Sequence, residues 1–106
     1  MRYLIYDPDL EVEEELGFGN VTLGREVLEK MLAETEKRDL TIIDPTYVSK
    51  RHCSIDLSLQ PVIFDKNSKN GTQVNGKRVY VDSPVLLNNG DIISMGPWKV
   101  EFIARE

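Results

Sequence analysis

Turn-forming residues cut this chain at short intervals. Asp7-Pro8-Asp9, Gly19-Asn20, Asp44-Pro45, Gln60-Pro61, Asn75-Gly76, Asn88-Asn89-Gly90 and Gly96-Pro97 each set proline, glycine or a self-capping amide between apolar runs. With one exception, the apolar runs in the pieces between them are short enough for strands, and many carry β-branched or aromatic side chains. Residues 53–59 alternate at period two, with Cys53, Ile55, Leu57 and Leu59 assigned to one face and Ser54, Asp56 and Ser58 to the other. Asn75-Gly76 separates residues 72–74 from 77–80 at two-residue spacing, and both tolerate positive φ, so a tight hairpin is expected there. Further strands are expected over residues 2–6, 11–16, 21–23, 40–43, 62–64, 92–95 and 98–103. Such punctuation predicts an all-β antiparallel sandwich or barrel.

The exception is residues 26–38. Val27, Leu28, Met31 and Leu32, with Thr35 next, form one helical stripe. Glu26 with Lys30, and Glu34 with Arg38, stand four apart with the acid first, the better orientation. Acids lead the segment and Lys37-Arg38 close it, in keeping with the helix dipole. The pattern predicts a helical insertion at about 26–38 in a β protein.

With 106 residues, the chain reads as a single domain over 1–106 that folds without a disulfide or a metal. Its one cysteine, Cys53, is expected to be a reduced core thiol of an intracellular protein. No apolar run approaches the ~20 residues a membrane span needs, and the N-terminal segment does not read as a signal peptide. A net charge of −5 argues against nonspecific nucleic-acid binding, which needs clustered cations to displace counterions. A local basic pocket remains compatible with that sum. One histidine and one cysteine do not make a usual metal-ligand set, so neither metal nor cofactor is expected.

Four signatures occur in order: Gly24-Arg25; Ser49-Lys50-Arg51-His52; Ser68-Lys69-Asn70-Gly71-Thr72; and 87–93, which reads Leu-Asn-Asn-Gly-Asp-Ile-Ile. Together they resemble the forkhead-associated (FHA) domain, whose pattern runs G-R, S-x-x-H, N-G and a late G-D. The resemblance covers nearly the whole chain. It implies an eleven-stranded FHA-type β-sandwich whose apical loops bind a phosphothreonine peptide. Carried over, Arg25 and Ser49 contact the phosphate, Lys50 lies beside the peptide, and Lys69 touches the phosphate. Asn70 holds the peptide main chain. His52, with Gly24 and Gly71, braces the loops, and Tyr47 falls where the family selects the peptide residue three after the phosphothreonine. The resemblance also implies a monomer whose partner is a phosphorylated protein. It extends to a signalling role, including the regulatory domain of a checkpoint-type kinase, and to a nuclear location. The sequence departs from the family between Arg25 and Asp39, where the helical stretch intervenes beside the proposed phosphate contact and could re-aim Arg25.

These residue types suit a phosphate ester. Phosphothreonine carries about −1.5 to −2 charges and three strong acceptor oxygens, so it calls for donors rather than bases. Arginine offers a planar fork that keeps its charge, serine a hydroxyl, and an asparagine amide pairs with peptide backbone whatever the peptide sequence. Ser49 and His52 stand three apart on a loop without an evident orienting carboxylate or a nucleophile-elbow motif, which argues against a hydrolase. An FHA-shaped scaffold or dimerisation domain that ignores phosphate is the alternative function.

Overall fold

The computed structural model describes residues 1–37 and 43–106. Ten strands appear among them: β1 (Arg2–Asp7), β2 (Val12–Glu15), β3 (Asn20–Leu23), β4 (Cys53–Asp56), β5 (Val62–Asp65), β6 (Thr72–Val74), β7 (Lys77–Val79), β8 (Val85–Leu86), β9 (Ile92–Met95) and β10 (Trp98–Arg105). They form two antiparallel sheets, one ordered β2-β1-β10-β9-β6-β7 and the other β3-β4-β5-β8. The strand expected at 40–43 lies, except for Ile43, outside the described residues.

Alternation along the strands fills the space between the sheets. Trp98, Val100 and Phe102 of β10, Ile93 and Met95 of β9, and Cys53 and Ile55 of β4 are all essentially inaccessible. The alternation expected over 53–59 stops early. Ser58 N–H donates to the Asp56 carboxylate at 2.9 Å, a turn that ends β4, so Leu59 is exposed rather than buried. Ser54, assigned to the face opposite Cys53 and Ile55, is also buried and lies 3.3 Å from the Thr22 hydroxyl of the neighbouring strand. Burial drives the Cys53 thiol well above its ordinary pKa, so it stays protonated and inert. Asn75 and Gly76 both take positive φ, as the two-residue hairpin requires.

The helical insertion is α1, Arg25–Glu34, starting one residue earlier and ending sooner than the stripe predicts. Leu28 and Met31 enter the main core, and Val27 and Leu32 pack against it. Thr35 terminates the helix in an extended conformation, its N–H on the Met31 carbonyl and its hydroxyl on the Leu10 carbonyl at 2.6 Å. The expected Glu26–Lys30 pair gives way to a tertiary one. The Lys30 ammonium meets Glu14 of β2 at 2.7 Å and approaches Glu34 at 4.0 Å, which ties the helix to the sheet. Lys37 lies past the helix end and pairs with Glu11 at 3.2 Å, while Arg38 falls outside the described residues.

One buried carboxylate joins the two ends of the chain. Asp7, on β1, accepts the Trp98 indole N–H at 2.9 Å and the N–H groups of Asp9 and Leu10 at 2.9 and 3.1 Å. A buried indole donor without a partner carries a desolvation cost, and here the first turn of the chain supplies the acceptor. Asp7→Ala is therefore expected to destabilise the fold by about 2–4 kcal/mol, with Asp7→Asn, which keeps one acceptor oxygen, losing less. Urea denaturation followed by Trp98 fluorescence measures both.

Candidate functional site

β3 ends, β4 begins and β5 ends at one edge of the sandwich, because the three strands run antiparallel. The loops that follow or precede them carry the first three of the four sequence motifs, while the fourth, 87–93, lies before and at the start of β9. At the first, the chain passes from β3 through Gly24 directly into α1. A Cβ on Gly24 would press into the carbonyls of Lys50 and Ser49, at 2.7 Å from the latter oxygen. Only glycine lets these two segments touch, and the Arg25 N–H donates to the Ser49 carbonyl at 3.0 Å across the gap. The positive end of α1 thus lies against Ser49.

Arg25 is the first residue of the helix, yet its side chain turns back to the loop. Its Nε donates to the carbonyls of Pro45 (3.2 Å) and Val48 (3.1 Å). Its two terminal nitrogens have no hydrogen-bond partner among the described residues. The Pro45–Tyr47 turn that receives Nε is itself capped by Asp44, which accepts the Thr46 N–H at 2.9 Å and hydroxyl at 2.8 Å. Those bonds, with a smaller contribution from the Arg25 charge, hold the Asp44 carboxyl below its ordinary pKa.

His52 fastens the second loop to the third. The Ser49 N–H donates to Nδ1 at 3.1 Å, so Nδ1 must be an acceptor, and Nε2–H donates to the Gly71 carbonyl at 2.8 Å. The ring is buried and neutral in this arrangement. The Ser49 hydroxyl accepts the Lys69 N–H at 3.0 Å, while its own hydrogen has no acceptor among the described residues. Asn70 gives one amide N–H to the Tyr47 carbonyl at 2.7 Å, leaving the amide oxygen and the other N–H outward. Lys50, Arg51 and Lys69 are exposed. Arg51 shares with Lys50, Glu26, Val27 and Lys30 a cleft of about 840 Å³ between α1 and β3, so the insertion forms one wall beside this end of the sandwich.

Arg25, Ser49, Lys69, Asn70, His52, Gly24, Gly71 and Tyr47 are thus connected by direct hydrogen bonds or backbone contact. Three supports were not singled out from the sequence. Asp65 anchors the 66–71 turn by accepting from the Ser68 hydroxyl (2.6 Å), Ser68 N–H (2.9 Å) and Thr72 hydroxyl (2.6 Å). Burial raises the Asp65 pKa, but these donors outweigh it and leave the carboxyl below its ordinary value. Gly96 donates to the Gly71 carbonyl at 3.0 Å, and a Cβ there would come within 2.9 Å of the Tyr47 carbonyl and 3.2 Å of the Asn70 Cβ. In the sequence Gly96-Pro97 signals only a turn. Arg78 lies over Gly71, with nothing but hairpin spacing to mark it.

Burial lowers the His52 pKa below its ordinary 6.5, outweighing the Gly71 carbonyl and the Asp65 charge, which favour the cation. The unfolded chain therefore takes up the proton more readily than the folded one. The ring's contribution to stability is complete above about pH 6.5 and declines as pH falls from there toward the depressed value. A proton on Nδ1 would also face the Ser49 N–H donor to donor. Urea midpoints measured between pH 7.5 and 5 are expected to fall for the native protein. In His52→Ala, less stable throughout, that slope is expected to be absent.

The family model described as FHA domain matches residues 21–96. No curated protein matches the sequence significantly. Among solved structures, an FHA domain studied for phosphothreonine-dependent interactions superposes with a TM-score of 0.73 at 26% identity, covering 100% of this chain and 99% of that one. The FhaA FHA domain, complexed with the intracellular domain of Rv3910, gives a TM-score of 0.68 at 28% identity over 96% and 99%. Mycobacterium tuberculosis EmbR, in complex with a low-affinity phosphopeptide, gives 0.71 at 26% identity, with 96% of this chain covering 24% of EmbR. On the ordered motifs, the two-sheet sandwich and the match over most of its length, the chain belongs to the FHA domain family, a family of phosphothreonine-binding protein-interaction modules.

Proposed function

We propose that this chain recruits a phosphorylated signalling partner by binding a phosphothreonine segment at the end of the sandwich where Arg25, Ser49 and Asn70 meet. The observation that carries the reading is the set of unspent donors there: the terminal nitrogens of Arg25, the Ser49 hydroxyl hydrogen and one Asn70 amide N–H. Each of these side chains is already fixed through another of its atoms. Donors held in place before the ligand arrives lose little freedom on binding. Arg25 and Ser49 take the phosphate oxygens, Lys50 and Lys69 add mobile positive charge, and Asn70 pairs with the peptide main chain. Tyr47, 58% exposed beside Asn70, stands where it can touch a residue following the phosphothreonine.

The role is recruitment rather than chemistry. In the neutral His52 tautomer both ring nitrogens are committed to backbone groups, so the ring has no lone pair for the Ser49 hydroxyl. The expectations of a nuclear location and of a checkpoint-type kinase rest on the family resemblance alone, and one of the structural relatives is mycobacterial.

A peptide held by loop tips, without a deep groove, is expected to bind at low micromolar affinity, about −7 to −8 kcal/mol. Calorimetric titration with one peptide in three forms tests the function. The phosphothreonine form should bind. The unmodified form should not, and the phosphoserine form should bind more weakly, since one buried methyl contributes about 0.8 kcal/mol. Equal binding of all three, or none together with a mass that grows with concentration, would instead support a phosphate-independent scaffold. Arg25→Ala should lower phosphopeptide affinity about 10- to 100-fold, the scale of hydrogen bonds to a charged group. It should also lower the thermal midpoint modestly, because Nε holds the Pro45 and Val48 carbonyls.

A further inference from the structure

We propose that the end of the sandwich opposite Arg25 and His52 is a self-association surface, on which a second copy of this chain docks by reciprocal insertion of Phe18. The inference goes beyond the phosphopeptide reading and does not rest on it, and it departs from the monomer that the family resemblance implies. Residues 17–19 precede β3, whereas Gly24 follows it, and residues 57–60 follow β4, whereas His52 precedes it. The two loops therefore lie together at the far end, joined by the Leu57 N–H on the Gly19 carbonyl at 2.8 Å.

Each loop holds one large apolar side chain in water. Phe18 is 96% exposed and Leu59 86%, the two highest values among the described large apolar residues. A single exposed leucine is ordinary, but two such side chains on adjoining tips form a patch of the kind that marks contact sites. Both tips are fixed at their bases. The Leu16 N–H donates to the Tyr3 carbonyl at 2.8 Å, Leu16 and Leu57 are buried in the main core, and the Ser58 N–H donates to the Asp56 carboxylate at 2.9 Å. Contact therefore costs these tips little further freedom.

The surroundings of Phe18 point to the partner. A pocket of about 260 Å³ opens beside the ring, with Met1, Tyr3, Leu16 and Leu57 as its apolar walls. Phe18 borders this space without filling it. A projecting ring and a pocket within one patch are self-complementary: turned about a two-fold axis, each copy's Phe18 meets the other's pocket. The charged residues of the pocket, Arg2 and Glu15, pair with each other at 2.9 Å. Two copies of a chain of net charge −5 can thus meet at a locally neutral contact. Two loop tips from each copy cover roughly 1,000 Å² in all, below the usual interface size, so the pair is weak and forms at high protein concentration.

Sedimentation equilibrium on the 106-residue protein, with no peptide present, tests the contact. The mass is expected to rise from monomer toward dimer with a dissociation constant on the order of 100 µM. Phe18→Ser should raise that constant about tenfold or more, and Leu59→Ser about three- to tenfold. Val81→Ser, at an exposed apolar site beside Lys66 and Asn67 and away from this end, should leave it unchanged. Urea midpoints should match the native protein for both loop variants, because both side chains are exposed. A Cβ at Gly17 meets nothing within 4 Å, so Gly17→Cys adds a reactive thiol beside Phe18 while Cys53 stays buried. A short bis-maleimide should link two copies of Gly17→Cys, and adding Phe18→Ser should abolish the link. A monomeric mass at every concentration overturns the inference. So does a mass that rises as steeply in Phe18→Ser and Leu59→Ser as in the native protein, or cross-linking that survives Phe18→Ser. Phosphopeptide titration is a separate measurement, so either reading can fail alone.

Discussion

The His52 imidazole is the constraint from which the rest of the site follows. Two loops that are distant in sequence meet at one buried ring. One supplies the Ser49 N–H to Nδ1, and the other supplies the Gly71 carbonyl to Nε2. Without the ring the Ser49 N–H would lose its acceptor, and the Gly71 carbonyl would keep only the Gly96 N–H. The ring satisfies both and in doing so fixes the separation between Ser49 and the 69–71 turn. Asp65 then shapes that turn from below, with Ser68 and Thr72 as its donors, and Gly96 closes it from the side. The proposed binding end is thus built from bonds beneath the surface rather than from the exposed cations themselves.

The helical insertion changes the surroundings of this end without separating its parts. Gly24 brings β3 and the 49–50 backbone so close that α1 must start there, and Arg25 is its first residue. Backbone direction alone would point a first-turn side chain along the helix. The carbonyls of Pro45 and Val48 draw Nε across the loop instead. Leu28 and Met31 secure the helix in the main core, and Lys30 reaches Glu14 on β2. Its outward face then borders the cleft with Lys50 and Arg51, which gives this chain a wall beside the proposed binding end.

The net charge of −5 and the proposed site for a doubly charged ester are compatible because charge is sorted by position. Glu13, Glu14 and Glu15 of β2, Glu11 just before it and Glu34 of α1 are tied to Arg2, Lys30, Lys37 and Arg105. Arg25, Lys50, Arg51, Lys69 and Arg78 enter no ion pair among the described residues and sit on or beside the motif loops. Attraction over about 8–10 Å, the screening length in ordinary salt, depends on that local set and not on the sum.

Much of the architecture was legible in local patterns. Turn residues at strand spacing give many short strands, Asn75-Gly76 gives its hairpin, and the stripe from Val27 to Leu32 gives the helix. These features are set within a few residues of chain, by sterics and by side-chain period, so sequence by itself determined them. It determined the motif positions as well, through the ordered pieces around Arg25, Ser49, His52 and Asn70. Tertiary structure decided what no local rule contains: that Leu59 is exposed, that Lys30 meets Glu14 rather than Glu26, that Asp7 answers Trp98 across the whole chain, and that Arg78 lies on Gly71. Each depends on which surfaces two distant segments present once the sheets have packed, and hydrogen bonds and close contacts of that kind leave no periodicity in the sequence to read.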